Sequence, residues 1–187
     1  MNFCNQCGAN VILRVPDGDT LPRYVCQHCA TIHYQNPKIV TGCIPVWQDQ
    51  VLLCKRAIEP GYGLWTLPAG FMENGETSMA GAAREALEEA HAVIDDMQLY
   101  GLFNLPHIDQ IYMMFRGNLR DGSATPGQES LDVALYYEQD IPWQQLAFPV
   151  VAESLKLFFS DRQQGSYSVH YADVVRDGDR KITITHY

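Results

Sequence analysis

The chain has 187 residues, of which 47% are hydrophobic and 19% charged, as expected for a soluble globular protein with one sizeable domain and a smaller one. Its net charge of −9 and the lack of any lysine or arginine run argue against stable, unassisted binding of long nucleic acids. No apolar run reaches the roughly 18 residues of a membrane span, and the first residues, "MNFCNQCGAN", lack the features of a secretory signal. We therefore expect a cytoplasmic protein with reduced thiols and no membrane partner.

The first segment carries two C-x2-C pairs, which are formed by Cys4, Cys7, Cys26 and Cys29. Tetrahedral zinc needs four soft ligands, and this spacing is typical of a zinc ribbon. Two disulfides or a redox C-x-x-C are the alternatives, but they suit a secreted or thioredoxin-like chain. Because four thiolates close the site, we leave out His28 and His33 and expect a structural zinc ion. We predict a ribbon over residues 1–36, a linker around "YQNPK", and a second domain over residues 37–187.

The second segment alternates strand and helix patterns. Apolar, β-rich runs at 39–47 and 51–57 flank "QDQ", which predicts a hairpin, and Cys43 and Cys54 are expected to be buried within them. Helical periodicity covers Ser78 to about Ala90. Further strands are predicted at 99–105, 110–119, 131–137 and 180–187, and a second helix at 149–165, with Pro149 in its first turn and Gly165 after its end. Strands mixed with two helices predict an α+β fold or an α/β/α sandwich.

The first of these helices contains "REALEEAHAV", in which Glu85, Glu88 and Glu89 share an arc of about 100°. We expect the helix to cover the sheet with its apolar side, formed by Met79, Ala83, Ala86, Leu87, Ala90 and Val93. Neighbouring like charges repel, and Arg84 offsets part of this through its i,i+4 relation to Glu88. The helix alone leaves two interpretations open, a solvated acidic surface and a metal site.

The preceding loop, "GLWTLPAGFMENGETS", adds Gly70, Glu73 and Glu76. Glycines let backbone carbonyls approach a cation and leave room for a phosphate. Magnesium prefers oxygen ligands, and the five glutamates of the loop and helix form a set that suits one to three such ions. Bound ions of this kind polarise a diphosphate and activate water, which favours the metal interpretation.

The spacing Gly70, five residues, Glu76, seven residues, then Arg84-Glu85-x-x-Glu88-Glu89 resembles the Nudix box of nucleoside-diphosphate-X hydrolases. The resemblance implies an α/β/α sandwich of the α/β class and catalytic Mg²⁺ or Mn²⁺. By the same resemblance, Glu85, Glu88 and Glu89 are ligands, Glu85 or Glu89 contacts the attacking water, and the Gly70 carbonyl completes a coordination sphere. It also implies that Glu76 supports the ions and that Arg84 orients the glutamates.

Glu129, in "PGQESLDV", matches a further glutamate that such enzymes draw from a later loop; a surface role is the alternative. Two positions depart from the box. Ala86 stands where a larger aliphatic residue is common, and His91 stands where the family usually has glycine. A residue at that helix end needs positive φ, which histidine tolerates. We therefore interpret His91 as a helix cap and not as a metal ligand.

A Cys4 ribbon ahead of a Nudix domain resembles the NADH pyrophosphatases, but "LYGLFNLPHIDQIYMMFRG" stands where those carry an "SQPWPFPxS"-like array. The fuller resemblance is to the plastid-type FAD pyrophosphatase and its bacterial relatives, through both cysteine pairs, "YQNPK", "LLCKR", "GLWTLPAGFMENGE" and "PGQESL". It implies a homodimer that hydrolyses FAD to AMP and FMN, and also ADP-ribose. The alternatives are an NADH or NAD-cap pyrophosphatase and a non-catalytic ribbon protein that binds nucleic acid.

Two side chains are candidates for substrate contacts. Arg56 follows an apolar strand and is suited to pair with a phosphate, although an ordinary strand-end cation fits as well. Tyr112 is suited to stack on a base or a flavin. For the other aromatic residues considered, Trp65, Phe103 and Phe115, burial in the core is the favoured interpretation.

Overall fold

The computed structural model describes residues 1–178 and 181–187, and the chain forms two compact units, residues 1–37 and 38–187. In the first unit, β1 (Val11–Arg14), β2 (Arg23–Cys26) and β3 (Ile32–His33) form an antiparallel sheet in that order. The division into a ribbon at 1–36 and a second domain at 37–187 stays a prediction. In the part of the chain that the structure describes, no helix is long and apolar enough to cross a membrane.

The second unit is a mixed sheet with two helices. Its strands are β4 (Lys38–Trp47), β5 (Gln50–Arg56), β6 (Trp65–Thr66), β7 (Ala69–Phe71), β8 (Ile94–Leu105), β9 (Gln110–Leu119), β10 (Ser130–Tyr136), β11 (His170–Arg176) and β12 (Ile182–His186). The helices are α1 (Ser78–Ala90) and α2 (Pro149–Gln164). The strand order is β10-β5-β4-β9-β8-β11-β12, while β6 pairs with β5 and β7 pairs with β4.

Each face of this sheet has its own apolar core, because neighbouring residues of a strand point to opposite faces. On β4, Cys43 packs with the alanines of α1, whereas Ile44 packs with α2 residues such as Leu155 and Phe158. One helix therefore covers each face, and the predicted α/β/α sandwich is confirmed. The expected burial of Cys43 and Cys54 is also confirmed, as is that of Trp65, Phe103 and Phe115.

Most predicted elements of this unit are present. The hairpin between β4 and β5 is confirmed by the pairs Val46–Val51 and Trp47–Gln50. Pro149 begins α2, and Gly165 ends it with φ 69°. One prediction was too short, because β8 begins at Ile94 and not at residue 99. Strand β11 was not predicted, because its pattern does not indicate a strand without its long-range partner β8. The last strand spans Ile182–His186, and Arg180 of the predicted strand lies outside the described residues.

Strands β4 and β5 diverge beyond their hairpin, and this divergence creates the space for the site. Further from the turn, β5 pairs with β6 and β4 pairs with β7, so that the segment between these short strands lies between β4 and β5. The approach is close at Gly42, where an added Cβ would lie 2.6 Å from the Pro68 carbonyl oxygen. The strand β7 that results carries Gly70 next to α1.

Candidate active site

Helix α1 has well-formed ends that fix its position. Thr77 is the N-cap, and its hydroxyl accepts a hydrogen bond of 3.1 Å from the Ala80 amide. His91 is the C-cap in the left-handed conformation, with φ 45°, and its amide donates to the Leu87 carbonyl at 2.9 Å. The predicted capping role of His91 is therefore confirmed.

The side that α1 turns toward the protein differs from the predicted one. Met79 and Leu87 are 45% and 50% exposed, and Val93 is also exposed, so the expected apolar contact is wrong at these positions. The buried residues are Gly81, Ala82, Glu85, Ala86, Glu89 and Ala90. Small residues allow the closest approach, since an added Cβ at Gly81 would lie 2.7 Å from Thr41 Cγ2. Two of the three glutamates therefore face the protein interior and not the solvent.

Arg84 holds three carboxylates through one guanidinium group. Its Nη1 donates to Glu85 Oε1 at 2.8 Å and to Glu88 Oε2 at 2.9 Å. Its Nε and Nη2 donate to the two oxygens of Glu76 at 3.1 and 2.9 Å, and Nη2 also reaches the Phe71 carbonyl at 3.2 Å. The planar fork of arginine suits such a set of acceptors. The structure thus brings together the Arg84, Glu76, Glu85 and Glu88 side chains of the predicted site.

Gly70 lies directly against the Glu85 carboxylate. A Cβ at this position would come within 2.5 Å of Glu85 Oε2. Any residue other than glycine would therefore force the Glu85 carboxylate to move. Glu76 is held in turn by the Glu73 amide, which donates to its Oε1 at 2.7 Å. The arginine and this amide both hold the pKa of Glu76 below its ordinary value.

Glu89 is the most buried carboxylate of the group, with 6% of its surface exposed. Burial raises its pKa to about 8, and the nearby charge of Glu85 adds to the effect. Its Oε2 finds no hydrogen-bond partner among the described residues. Burial also raises the pKa of Glu85, and the bond from Arg84 opposes that rise. The positive charge of Arg56 opposes the rise for Glu89. A buried carboxylate oxygen without a hydrogen-bond partner is costly, so Oε2 of Glu89 is a candidate ligand for a cation.

Glu129 reaches this cluster from the loop before β10. Its backbone carbonyl accepts a hydrogen bond of 2.8 Å from Ala57, next to β5. Its charge contributes to the raised pKa of Glu85 and of Glu89, after burial and the nearer charges. The loop therefore adds a fourth carboxylate to the neighbourhood of the helix glutamates.

Arg56 and Tyr112 lie in the same neighbourhood. Arg56 is buried at the end of β5, where its Nε donates to the Pro60 carbonyl at 2.8 Å and its guanidinium lies 5.1 Å from the Phe148 ring centre. Burial raises the pKa of Tyr112, and the positive charge of Arg56 opposes that rise. Sequence reasoning missed the support from Phe148, because a contact across so many residues leaves no local pattern.

The carboxylate oxygens are the donor type that a hard cation prefers, although the carboxylates lie further apart than the ligands of one bound ion. Among residues 1–178 and 181–187, the only group of three or more candidate ligands with atoms within 4.8 Å of one another is the cysteine set. Three observations nevertheless fit divalent metal binding at α1. The donors are oxygens, as Mg²⁺ prefers, Gly70 leaves open space for Glu85, and Glu89 Oε2 is buried without a partner among the described residues.

The cysteine set of the first unit fits zinc closely. The Sγ atoms lie 3.7 Å apart for Cys4 and Cys29, 3.4 Å for Cys7 and Cys26, and 3.5 Å for Cys7 and Cys29. Zinc–sulfur bonds of about 2.3 Å in a tetrahedron require sulfur separations of about 3.8 Å. All four Sγ atoms lie within 4.8 Å of one another, so the set is close enough together to bind one zinc ion.

Comparisons with known proteins agree with both parts of this arrangement. Residues 2–35 match the family described as Nudix N-terminal, and residues 36–158 match the NUDIX domain family. A NUDIX hydrolase from Nitrosomonas europaea of known crystal structure is 56% identical, with a TM-score of 0.90 over 94% of this chain and 99% of that one.

Other relatives are similar to this chain over only part of their own length. The NAD-capped RNA hydrolase NudC of Photobacterium profundum is 30% identical over 138 residues, which are 72% of this chain and 49% of the relative. The protein of the same name from Vibrio cholerae is 31% identical over 140 residues, 73% of this chain and 49% of the relative. The chain thus spans about half the length of these relatives. With a NUDIX domain match over most of its length, the chain belongs to the Nudix hydrolase family.

Proposed function

We propose that this chain is a divalent-metal-dependent pyrophosphatase that cleaves the diphosphate bond of a dinucleotide. The observation that carries the proposal is the carboxylate cluster of α1. Arg84 orders Glu85 and Glu88, while Glu89 lies buried with one oxygen that has no partner among the described residues. A surface role does not account for this arrangement, because a carboxylate that serves only solubility gains nothing from burial.

Each residue of the cluster has a distinct role in the proposed reaction. Glu85, Glu88, Glu89 and Glu129, with the Gly70 carbonyl, would hold Mg²⁺ or Mn²⁺, which supplies Lewis-acid polarisation of the diphosphate and a lowered pKa for water. Arg84 and Glu76 fix the directions of the glutamates through the bonds described above. Glu89 Oε2, which has no hydrogen-bond partner among the described residues, would accept a proton from the attacking water.

Arg56 and Tyr112 are proposed to bind the substrate. The contacts of Arg56 with the Pro60 carbonyl and the Phe148 ring orient its guanidinium. Its positive charge lowers the pKa of Glu89 at longer range but forms no direct ion pair with a carboxylate of the described residues. That charge is suited to a phosphate of the substrate. Tyr112 is partly buried next to the apolar core and is suited to contact a base or flavin ring.

Two substrate classes are supported by different observations. The sequence resemblance over both cysteine pairs and the "GLWTLPAGFMENGE" segment favours FAD, and with it ADP-ribose. The curated relatives that match this chain are named NAD-capped RNA hydrolases, which favours NADH or an NAD cap. All of these share an adenosine diphosphate joined to a second group, so the substrate class is a dinucleotide or a related ADP conjugate. The first candidate is FAD, with AMP and FMN as products.

A substrate panel tests both the activity and the choice. The full-length protein with bound zinc is incubated with Mg²⁺ and either FAD, ADP-ribose, NADH or an NAD-capped RNA, and the products are separated by chromatography. We expect cleavage of FAD to AMP and FMN, and Glu88→Gln and Glu89→Gln should each lose most of it. Preferential cleavage of NADH or of the capped RNA supports the alternative. If no compound is cleaved, or both variants retain wild-type rates, the proposed activity is wrong.

Binding of nucleic acid without hydrolysis is the remaining alternative. A filter-binding titration of RNA at increasing salt distinguishes it, because phosphate contacts by cations give a steep salt dependence. With a net charge of −9, we expect no tight, salt-sensitive binding. The homodimer and the cytoplasmic location also stay predictions. Light scattering tests the first of them directly.

A further inference from the structure

The C-terminal end of α1 is a docking site for the loop that carries Glu129. The last carbonyl groups of a helix have no partners within the helix. Here the Gly127 amide donates to the Glu89 carbonyl at 3.0 Å, and the Thr125 amide donates to the Ala90 carbonyl at 2.9 Å. Gly127 lies so close to the Glu88 carbonyl oxygen that any Cβ would collide with it. The loop is thus fixed to the backbone of the glutamates themselves.

His91 adds a side-chain bond to this docking. Its Nδ1 lies 3.1 Å from the Thr125 carbonyl oxygen and 3.0 Å from the Thr125 hydroxyl oxygen. A carbonyl oxygen only accepts hydrogen bonds, so a hydrogen on Nδ1 serves this contact. The residue that ends the helix in the left-handed conformation is therefore also the residue whose ring contacts the loop. The glycine that the Nudix box usually has at this position provides the same backbone without this bond.

We propose that His91 is a positioning residue for Glu129, which it serves by fixing the loop over residues 121–129 to the end of α1. The loop is tied at Thr125 and Gly127 on one side, and at the Glu129 carbonyl by Ala57 on the other. The backbone of Glu129 is thus one anchor, and it follows closely after the other anchor, to which the imidazole contributes through Thr125. The inference rests on the proposed function, because the position of Glu129 matters only if its carboxylate holds a cation.

The test is a double-substitution cycle. It measures the affinity for Mn²⁺ alone, kcat and KM with the substrate that the wild type cleaves, and amide hydrogen exchange in the loop. His91→Gly keeps the backbone conformation and removes the bond. His91→Asn places its side-chain amide nitrogen where Nδ1 is in histidine, and asparagine tolerates positive φ. Asp109→Gly is the matched control, because Asp109 is also a non-glycine residue with φ 52° but lies in a different turn.

We expect His91→Gly to weaken Mn²⁺ binding and to lower kcat by about tenfold each, as is typical when the support of a metal ligand is lost. KM should change little, and His91→Asn should restore both properties to within about threefold. In a Glu129→Gln background, His91→Gly should have almost no further effect, because its target is gone. Asp109→Gly should match the wild type. Hydrogen exchange at Thr125 and Gly127 should be faster in His91→Gly.

Three outcomes overturn the inference. Wild-type Mn²⁺ affinity and kcat in His91→Gly show that the bond is not needed. An undiminished loss in the Glu129→Gln background shows that His91 acts on the helix in general and not through Glu129. A wild type that binds no Mn²⁺ and cleaves no compound of the panel removes the proposed function, and the inference with it. The first two outcomes leave the proposed function intact, so the two failures are distinguishable.

Discussion

The burial of Glu89 makes stability depend on pH in a direction opposite to that of most carboxylates. Its pKa is raised from 4.5 to about 8 in the folded protein. Between these values the folded state holds a proton that the unfolded state has released, so the free energy of unfolding falls as pH rises. Each unit is about 1.4 kcal/mol, and at pH 7 the cost of this group is about 3 kcal/mol.

Glu89→Gln removes this cost with little change in shape. In buffer that contains Zn²⁺ but no Mg²⁺ or Mn²⁺, we expect the variant to gain stability relative to the wild type as pH rises. The difference in unfolding free energy should grow by about 2 to 3 kcal/mol between pH 5 and pH 7. Urea unfolding followed by tryptophan fluorescence and circular dichroism at several pH values measures it. Burial of the glutamine amide changes the stability of the variant by an amount that does not depend on pH. This amount cancels when the difference between variant and wild type at pH 7 is compared with that at pH 5.

Glu88→Gln is the matched control, because this side chain is the neighbouring glutamate of the same helix and is 58% exposed. Its difference from the wild type should stay nearly constant over the same pH range. A Glu89→Gln difference that is equally flat would refute the reasoning, since it would show that Glu89 ionises in the fold as easily as in the unfolded chain. Saturating Mg²⁺ should reduce the advantage of the variant, because the cation stabilises the ionised wild type.

The remaining predictions concern single contacts. Gly70→Ala should lower kcat by about tenfold, because its Cβ displaces the Glu85 carboxylate. Its unfolding free energy should fall by less than about 1 kcal/mol. Gly178→Ala is the control and should change neither kcat nor stability, because an added Cβ at Gly178 meets no described atom within 4 Å. Arg84→Lys keeps the charge but loses the fork and should reduce stability by about 1 to 2 kcal/mol, whereas Arg120→Lys, at an exposed ion pair with Asp95, should cost less than about 0.5 kcal/mol. Cys29→Ser should reduce the bound zinc measured by mass spectrometry and increase proteolysis within residues 1–37; unchanged zinc content would contradict the proposed ligand set.

Patterns that depend on neighbouring residues were predictable from the sequence. The two cysteine pairs, the cap at His91 and the contact between Arg84 and Glu88 each involve residues a few positions apart, whose geometry is set by a turn or a helix. The elements with strong periodicity, such as α1 and β9, followed for the same reason. Strand β11 did not, because its pairing with β8 joins segments that are far apart in the chain.

The sequence by itself determined which residues share a helix face, but the tertiary structure decided which face is buried. A helical wheel ranks faces by hydrophobicity and predicts Leu87 inside, whereas close packing against β4 selects the smaller Gly81 and Ala82. That choice turns Glu89 into the interior, and burial then raises its pKa. The docking of the Glu129 loop is likewise a tertiary event, because the unpaired carbonyls at the end of α1 find their amide donors in a loop far along the chain.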